Sequence, residues 1–283
     1  MSRLLGYMCS DDTLTYAVME EVADDLNNIN GDERVGHGFG WVQEGRSLLR
    51  KQPPQGASGV ALGNLISDIP AREIVGYECD PDAKAIDTLD LQPFCFRTWV
   101  YAQDGDLGGL EEHRDAVLDR LPDHIMRNID GDSIEELCFH VFLAKLQARG
   151  GFGLSQSQPR ACAAALADTV REIESNLDGD RSSDQIFDTD MVAISERLLL
   201  AVSGRDDIFY RQFHGIEEKQ EEPLFAGHRP QVEKHPHFKA ILVANGLNDG
   251  EDEWEKLPPR SIMWVDSNWN VEVESLEEFQ LEG

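Results

Sequence analysis

The sequence of 283 residues predicts an α+β fold in one domain, and two observations support this prediction. Strand-like runs come first, helix-like stretches occupy the middle, and strand-like runs return in the last third. Such an order in blocks favours segregated helices and strands, arranged as a sandwich, over alternating βαβ units. No linker rich in Pro, Gly or Ser divides the chain, so we expect a single domain spanning residues 1–283.

The first third reads as strands with two helices. Ser2–Met8 is an apolar run at the start of the sequence, and Thr13–Asp25 is predicted to be a helix. Phe39–Gln43 and Ser47–Lys51 predict a hairpin around the turn signal Glu44-Gly45. Further along, the sequence predicts a short helix over Ser58–Ser67 and strands over Glu73–Cys79 and Phe96–Ala102.

Three helices are predicted next, over Leu110–Leu121, Ser133–Arg149 and Gln158–Leu177. In the second, Leu137, Val141 and Ala144 recur at helical spacing, and Asp132 and Ser133 are good N-cap residues. The remaining strands are predicted over Met191–Val202, Ile208–Phe213, Phe238–Ala244, Ser261–Val265 and Val271–Ser275. Gln231–Pro236 and Asn245–Lys256 are predicted to be exposed loops.

The charge balance restricts the partners. A formal net charge of −29 disfavours nucleic acid and anionic membrane surfaces. No apolar run approaches about 18 residues and no signal peptide is recognisable, so we expect a cytoplasmic protein without a membrane span. The 5 cysteines show no CxxC spacing, which favours reduced and mostly buried thiols.

The sequence predicts neither a cofactor nor a metal. His235-Pro236-His237 lacks the further ligands that a zinc site needs. The acidic run Asp249–Glu255 lacks the alternating oxygen ligands of a calcium loop. Both segments are interpreted as solvated surface.

Motifs in a fixed order carry a resemblance to a known family. They are MSRLLGY at the start, HGFGW at His37–Trp41, QPFCFRTWVYAQDGDL at Gln92–Leu107, GDSIE at Gly131–Glu135, and the closing WEKLPPRSIMWVD at Trp254–Asp266. As a set, they resemble the class II glutamine amidotransferases, in particular the single-domain subgroup similar to the ergothioneine-pathway amidohydrolase.

The resemblance implies a four-layer αββα sandwich of the N-terminal-nucleophile hydrolase type. It also implies that the initiator Met is removed and that Ser2 stands where the family has its nucleophilic Cys, with the α-amine of that residue as the base. An α-amine titrates near about pH 8, which suits this role. Within the corresponding motifs, Gly105 would donate a backbone N–H to the oxyanion, and Asp132 would hold the ammonium group of the substrate.

Several motif positions depart from the family pattern. Cys79 stands where the family has the Arg that binds the α-carboxylate of glutamine, and Tyr77 replaces a His. Gln92 replaces the His of Thr-His-Pro-Phe, of which Pro93 and Phe94 are kept. Asp104 stands where the Asn side chain would donate to the oxyanion. The resemblance thus assigns Ser2, Asp104 and Gly105 to a degenerate catalytic site, and Cys79, Gln92, Phe94 and Asp132 to substrate binding.

Two functions follow from these departures. The favoured hypothesis is a binding protein that has lost glutaminase activity, because an ionised Asp104 accepts hydrogen bonds and cannot donate one. Its ligand would be a protein partner or a small amine or amide. The alternative is an amidohydrolase with a changed substrate, in which Ser2 attacks and its own α-amine acts as the base.

Overall fold

The structure is a computed structural model. It describes residues 2–27, 36–53, 66–67, 69–79, 88–105, 107, 109–155, 157–177, 188–205, 207–219, 232–247 and 253–279.

Thirteen strands and six α-helices are described within these ranges. The strands are β1 (Arg3–Cys9), β2 (His37–Gln43), β3 (Arg46–Gln52), β4 (Glu73–Glu78), β5 (Phe94–Phe96), β6 (Trp99–Gly105), β7 (Thr189–Ser195), β8 (Leu198–Ser203), β9 (Ile208–Lys219), β10 (Val232–Asn245), β11 (Glu255–Lys256), β12 (Ser261–Val265) and β13 (Val271–Ser275). The helices are α1 (Thr15–Glu21), α2 (Ala23–Asn27), α3 (Arg114–Leu118), α4 (Asp123–Met126), α5 (Ile134–Ala148) and α6 (Pro159–Leu177), with 3-10 turns at Asp12–Leu14 and Glu111–His113.

The strands form two antiparallel sheets. The first sheet has the order β11-β9-β10-β1-β4-β2-β3, and the second has the order β13-β12-β8-β7-β6-β5. One apolar layer lies between the sheets and contains Leu4 and Val75 from the first and Val192 from the second. A second layer packs α1 on the first sheet, and a third packs α5 and α6 on the second. The described elements therefore stack as helices, sheet, sheet and helices.

Strand β1 lies in the middle of the first sheet. It pairs with β10 on one side and β4 on the other, and all of its residues are buried. Its side chains alternate, with Leu4 between the sheets and Leu5 and Tyr7 against the helical layer. At Gly6 an added Cβ would lie 2.6 Å from a side-chain carbon of Val192, so the sheets approach closely here. The predicted first strand is confirmed, and pairing on both sides explains why it does not fray.

Helix α5 begins at the predicted cap. The Ser133 hydroxyl accepts the backbone N–H of Glu136 at 3.1 Å. The Glu136 carboxylate in turn accepts the backbone N–H groups of Asp130, at 3.0 Å, and Gly131, at 2.7 Å. Such a cap stabilises a helix by about 1 kcal/mol, and here it also fixes the loop that leads into α5.

Some predicted elements differ from the structure. Met191–Val202 is a hairpin, since Glu196 and Arg197 form the turn between β7 and β8. Within the predicted loop Gln231–Pro236, residues 232–236 belong to β10. The predicted helix Leu110–Leu121 is broken into a 3-10 turn and the short α3. The predicted helix Thr13–Asp25 is divided between a 3-10 turn, α1 and α2.

Other differences are shifts of boundaries. The predicted strand Phe96–Ala102 is two strands, β5 and β6, separated by a turn at Arg97 and Thr98. Most of the predicted helix Ser58–Ser67, and residues 248–252 of the predicted loop Asn245–Lys256, lie outside the described residues. Within the described part of the chain, none of the helices has the length and apolar character needed to cross a bilayer.

Gly38 offers a test of the contact between β2 and the turn before β5. A Cβ at Gly38 would lie 1.7 Å from the carbonyl oxygen of Gln92, which is backbone and cannot rotate away. We expect Gly38→Ala to lower the free energy of unfolding by about 2–3 kcal/mol, measured by urea denaturation. The matched control is Gly153→Ala, because a Cβ there meets nothing within 4 Å, and its effect should stay within about 0.5 kcal/mol. Equal losses in the two variants would contradict this interpretation.

Candidate active site

Ser2 precedes β1 and is half-buried. Its side chain shares a hydrogen bond with the hydroxyl of Tyr77 on β4, where Tyr77 is the register partner of Leu4. Burial raises the pKa of Tyr77 well above its usual value, and the nearby Asp104 and Glu135 carboxylates raise it further. The phenol is therefore neutral at physiological pH and holds the Ser2 side chain in place.

The Asp104 carboxylate lies at the end of β6 and is paired with two donors. Arg205 forms an ion pair with its Oδ2 atom, and Asn245 Nδ2 donates to the same atom at 2.8 Å. Asn245 Oδ1 accepts the backbone N–H of Leu4 at 2.7 Å. Asp104 is thus linked through one side chain to the first residues of β1, and it acts as an acceptor.

Arg205 is held by a second acid. Its Nε lies 3.3 Å from Asp190 Oδ2, and Asp190 Oδ1 accepts the backbone N–H groups of Gly204, at 2.9 Å, and Arg205, at 3.2 Å. Burial raises the pKa of Asp190 to about 6, although these hydrogen bonds and the guanidinium oppose the rise. Burial alone would lower the pKa of Arg205, but Asp104 and Asp190 raise it. We call Asp104, Arg205, Asn245 and Asp190 the arginine network.

Gly105 follows Asp104 at a position that only glycine fits. Its φ is +142°, and an added Cβ would lie 2.1 Å from the carbonyl oxygen of Asp188. The backbone of β6 therefore passes unusually close to the beginning of β7. This contact fixes the direction of the peptide that follows Asp104.

Cys79 and Gln92 are both buried and bonded to backbone. The Cys79 thiol accepts the N–H of Gly36 at 3.0 Å, and the Cys79 N–H donates to the Gly36 carbonyl at 2.9 Å. Gln92 makes two bonds with the backbone of Gln103, accepting its N–H at 2.7 Å and donating to its carbonyl at 2.8 Å. Both side chains thereby connect neighbouring segments of the fold.

Phe94 and Asp132 lie in different surroundings. Phe94 is buried on β5, with the ammonium group of Lys51 5.0 Å from the centre of its ring. The Asp132 carboxylate is fully exposed, and Arg114 is 4.0 Å away. Lys51 and Arg114 therefore place two cations near these side chains.

Acidic groups surround the loop before α5. Asp90 Oδ1 accepts the backbone N–H groups of Asp132, at 2.9 Å, and Ser133, at 3.1 Å. Burial raises the pKa of Glu135, and the charges of Asp90 and Glu111 raise it further. Glu135 also raises the pKa of Tyr77, which is bonded to Ser2. We call Asp90, Asp132 and Glu135, which lie in or beside this loop, the acidic rim.

The structure thus brings Ser2 and Asp104 to the same region, around Tyr77 and the start of β1. Gly105 adjoins them in the chain, whereas Cys79 and Gln92 are engaged with backbone. Sequence reasoning missed Arg205, Asn245 and Asp190. No spacing pattern links them, because the bonds from Asp104 reach residues 101 and 141 positions away.

A small cavity of about 110 Å³ lies beside Cys9, at the opposite end of β1, and is lined in part by Glu73, Arg72 and Arg197. Glu73 Oε1 accepts the backbone N–H of Arg197 at 3.1 Å. Burial raises the pKa of Glu73 to about 7, against the effect of this bond and of the two arginines. A carboxyl that protonates near neutral pH makes stability depend on pH.

The sign of that dependence follows from linkage. The folded pKa of Glu73 exceeds the unfolded value, so the folded state binds the extra proton and is stabilised at low pH. We expect the free energy of unfolding to fall by about 2 kcal/mol more in wild type than in Glu73→Gln between about pH 5.5 and about pH 8. The exposed Glu272→Gln variant should behave as wild type. If the free energy of unfolding depended on pH in the same way in wild type and in Glu73→Gln, the raised pKa of Glu73 would be disproved.

Comparisons with known proteins concern the fold. No protein-family model and no curated protein matches the sequence. Among solved structures, the chain is similar to a glutamine aminotransferase class-II domain protein from Silicibacter pomeroyi, with a TM-score of 0.59 and 14% identity over 96% of this chain and 98% of that chain. It is also similar to a predicted glutamine amidotransferase from Pseudomonas aeruginosa, with a TM-score of 0.52 and 12% identity over 97% and 95% of the two chains. Over almost its whole length, the chain therefore has the fold of these two proteins.

Proposed function

We propose that this chain is a class II glutamine amidotransferase-like protein, built on the N-terminal-nucleophile fold, that has lost glutaminase activity and binds a small ligand carrying an amine and an amide. The observation that carries the proposal is the pairing of Asp104 with both Arg205 and Asn245. The resemblance aligns Asp104 with the Asn that donates to the oxyanion in the related enzymes.

Glutamine hydrolysis requires a hydrogen-bond donor to the oxyanion at this position, and the paired carboxylate of Asp104 does not supply one. An ionised carboxylate has no hydrogen to donate, and Asp104 already accepts hydrogen bonds from Arg205 and Asn245. A negative charge beside a developing oxyanion also raises the energy of the transition state. Loss of a single oxyanion donor costs about 10²–10³ in rate.

The same reasoning argues against an α-amino acid as the ligand. At Cys79 a buried thiol is bonded to Gly36, where a bidentate guanidinium would be needed to bind a carboxylate. The acidic rim of Asp90, Asp132 and Glu135 repels a carboxylate and attracts an ammonium group. A ligand that retains the amine and the amide but lacks the carboxylate fits these charges.

The loss of glutaminase activity is tested by glutamate release from L-glutamine. We expect no release above background from wild type, and none from Ser2→Cys, because a better nucleophile does not restore the missing oxyanion donor. The measurement is made at a pH high enough to deprotonate the α-amine. Turnover by wild type that disappears in Ser2→Ala would overturn the proposal.

The ligand class is tested with 4-aminobutanamide, which is glutamine without its α-carboxylate. Isothermal titration calorimetry should show binding of 4-aminobutanamide and none of L-glutamine. Asp132→Asn should weaken binding by about tenfold, the usual effect of losing one charged hydrogen bond. Asp130→Asn, two positions earlier and also exposed, is the matched control and should bind as wild type. Equal binding of the two compounds would show that the ligand class is wrong.

The second candidate is an amidohydrolase with Ser2 as the nucleophile. The hydrogen bond between Ser2 and the neutral Tyr77 favours it, because this bond positions the hydroxyl at the start of β1. The α-amine of Ser2 would serve as the base once the preceding Met is removed. Ammonia release from 4-aminobutanamide by wild type but not by Ser2→Ala would support this function over binding alone.

A further inference from the structure

The hairpin of β9 and β10 extends beyond a register shift in the first sheet. The shift falls between His235 and Lys239, and Gly215 on the facing strand has a φ of +90°. Past it, Glu218 stands directly opposite Glu233, and His235 stands opposite Ile216. This part of the hairpin lies beside α1, far along the sheet from the candidate active site.

Three side chains converge on one face of this hairpin. One ligand atom each from Glu218, Glu233 and His235 lies within 4.8 Å of the others. Glu218 Oε2 lies 3.0 Å from His235 Nε2. Zinc bonds of about 2.0–2.2 Å at tetrahedral angles place neighbouring ligand atoms about 3.3 Å apart, so small side-chain movements suffice for coordination.

The carboxylates around this cluster favour the binding of a cation. Carboxylates directly opposite each other on paired strands repel, which destabilises the hairpin. His235 is the basic group that faces Glu218, whereas the neighbouring Lys234 pairs with Glu217. Glu20 on α1 adds a further negative charge next to Tyr16, which borders the cluster.

Tyr16 orients one of the carboxylates. Its hydroxyl donates to Glu218 Oε1, the oxygen that does not contact His235. This arrangement leaves Oε2 directed toward His235 and toward the centre of the cluster. Outer hydrogen bonds of this kind fix the orientation of ligands in metal sites.

We propose that Glu218, Glu233 and His235 bind a divalent transition-metal cation, for which Zn²⁺ is the best match. An imidazole nitrogen with two carboxylates suits Zn²⁺, whereas Mg²⁺ and Ca²⁺ prefer oxygen ligands alone. Three protein ligands leave a fourth position for water. His235 also lines a groove of about 530 Å³.

The site involves three elements. Its ligands lie on β9 and β10, and α1 contributes Tyr16, which hydrogen-bonds to Glu218. Bound metal replaces the repulsion between Glu218 and Glu233 by attraction to a shared cation. We therefore expect Zn²⁺ to raise the melting temperature of the full chain, because a ligand that binds only the folded state stabilises it.

The experiment is calorimetric titration of Zn²⁺ into the full-length chain after treatment with a chelator. We expect one Zn²⁺ per chain, and at least about tenfold weaker binding in His235→Ala and in the isosteric Glu218→Gln. The matched controls are His237→Ala, two residues along the same strand, and Glu217→Gln, which pairs with Lys234. Both controls should bind as wild type, and excess Mg²⁺ should not compete.

X-ray absorption at the zinc edge supplies a second readout. We expect a shell of nitrogen and oxygen only, because none of the thiols belongs to the site. A sulfur shell would mean that a cysteine binds the metal and would overturn the proposal. Absence of Zn²⁺ binding, or equal loss in His235→Ala and His237→Ala, would overturn it as well. Because Glu218→Gln preserves shape, it keeps the test decisive if His235→Ala folds poorly.

Discussion

The pairing of β1 on both edges is the constraint on which the other features depend. Because β4 and β10 bond to it from either side, the first residues of the described chain have a fixed position against both sheets. That position sets where Ser2 lies, brings Tyr77 next to it, and lets Asn245 bridge the Leu4 amide and Asp104. Sheet pairing thus sets the relative positions of Ser2, Tyr77, Asn245 and Asp104.

The arginine network depends on a carboxylate at position 104, where the resemblance predicts an amide. An Asn and an Asp differ by an NH₂ group and an oxygen, yet Asp104 attracts a guanidinium that a neutral amide would not hold. Asp190 then holds Arg205 from the other side. Arg205 thus bridges two carboxylates that are largely buried, and removal of its guanidinium would leave both without their cation.

Predictions from sequence were correct where a structure depends on neighbouring residues alone. Ser133 and Glu136 cap α5 at the expected residue, because capping depends on a few neighbouring residues. The turn at Glu196 and Arg197 was missed, since the buried run of Met191–Val202 is apolar on both sides of it. His235 was interpreted as exposed loop, because its partners Glu218 and Glu233 become visible only when β9 and β10 are paired. The sequence does not predict the arginine network for the same reason, because the network joins residues far apart in the chain.

The central place of β1 has a consequence for biosynthesis. Leu5 pairs with Ala244, so β1 is translated long before the strand that pairs with it. At ribosomal rates this delay is roughly 10–50 s, during which an apolar strand lacks one of its neighbours. Contacts of such long sequence separation slow folding and expose unpaired strand edges to aggregation. Until β10 has left the ribosome, β1 therefore has one edge without its native partner.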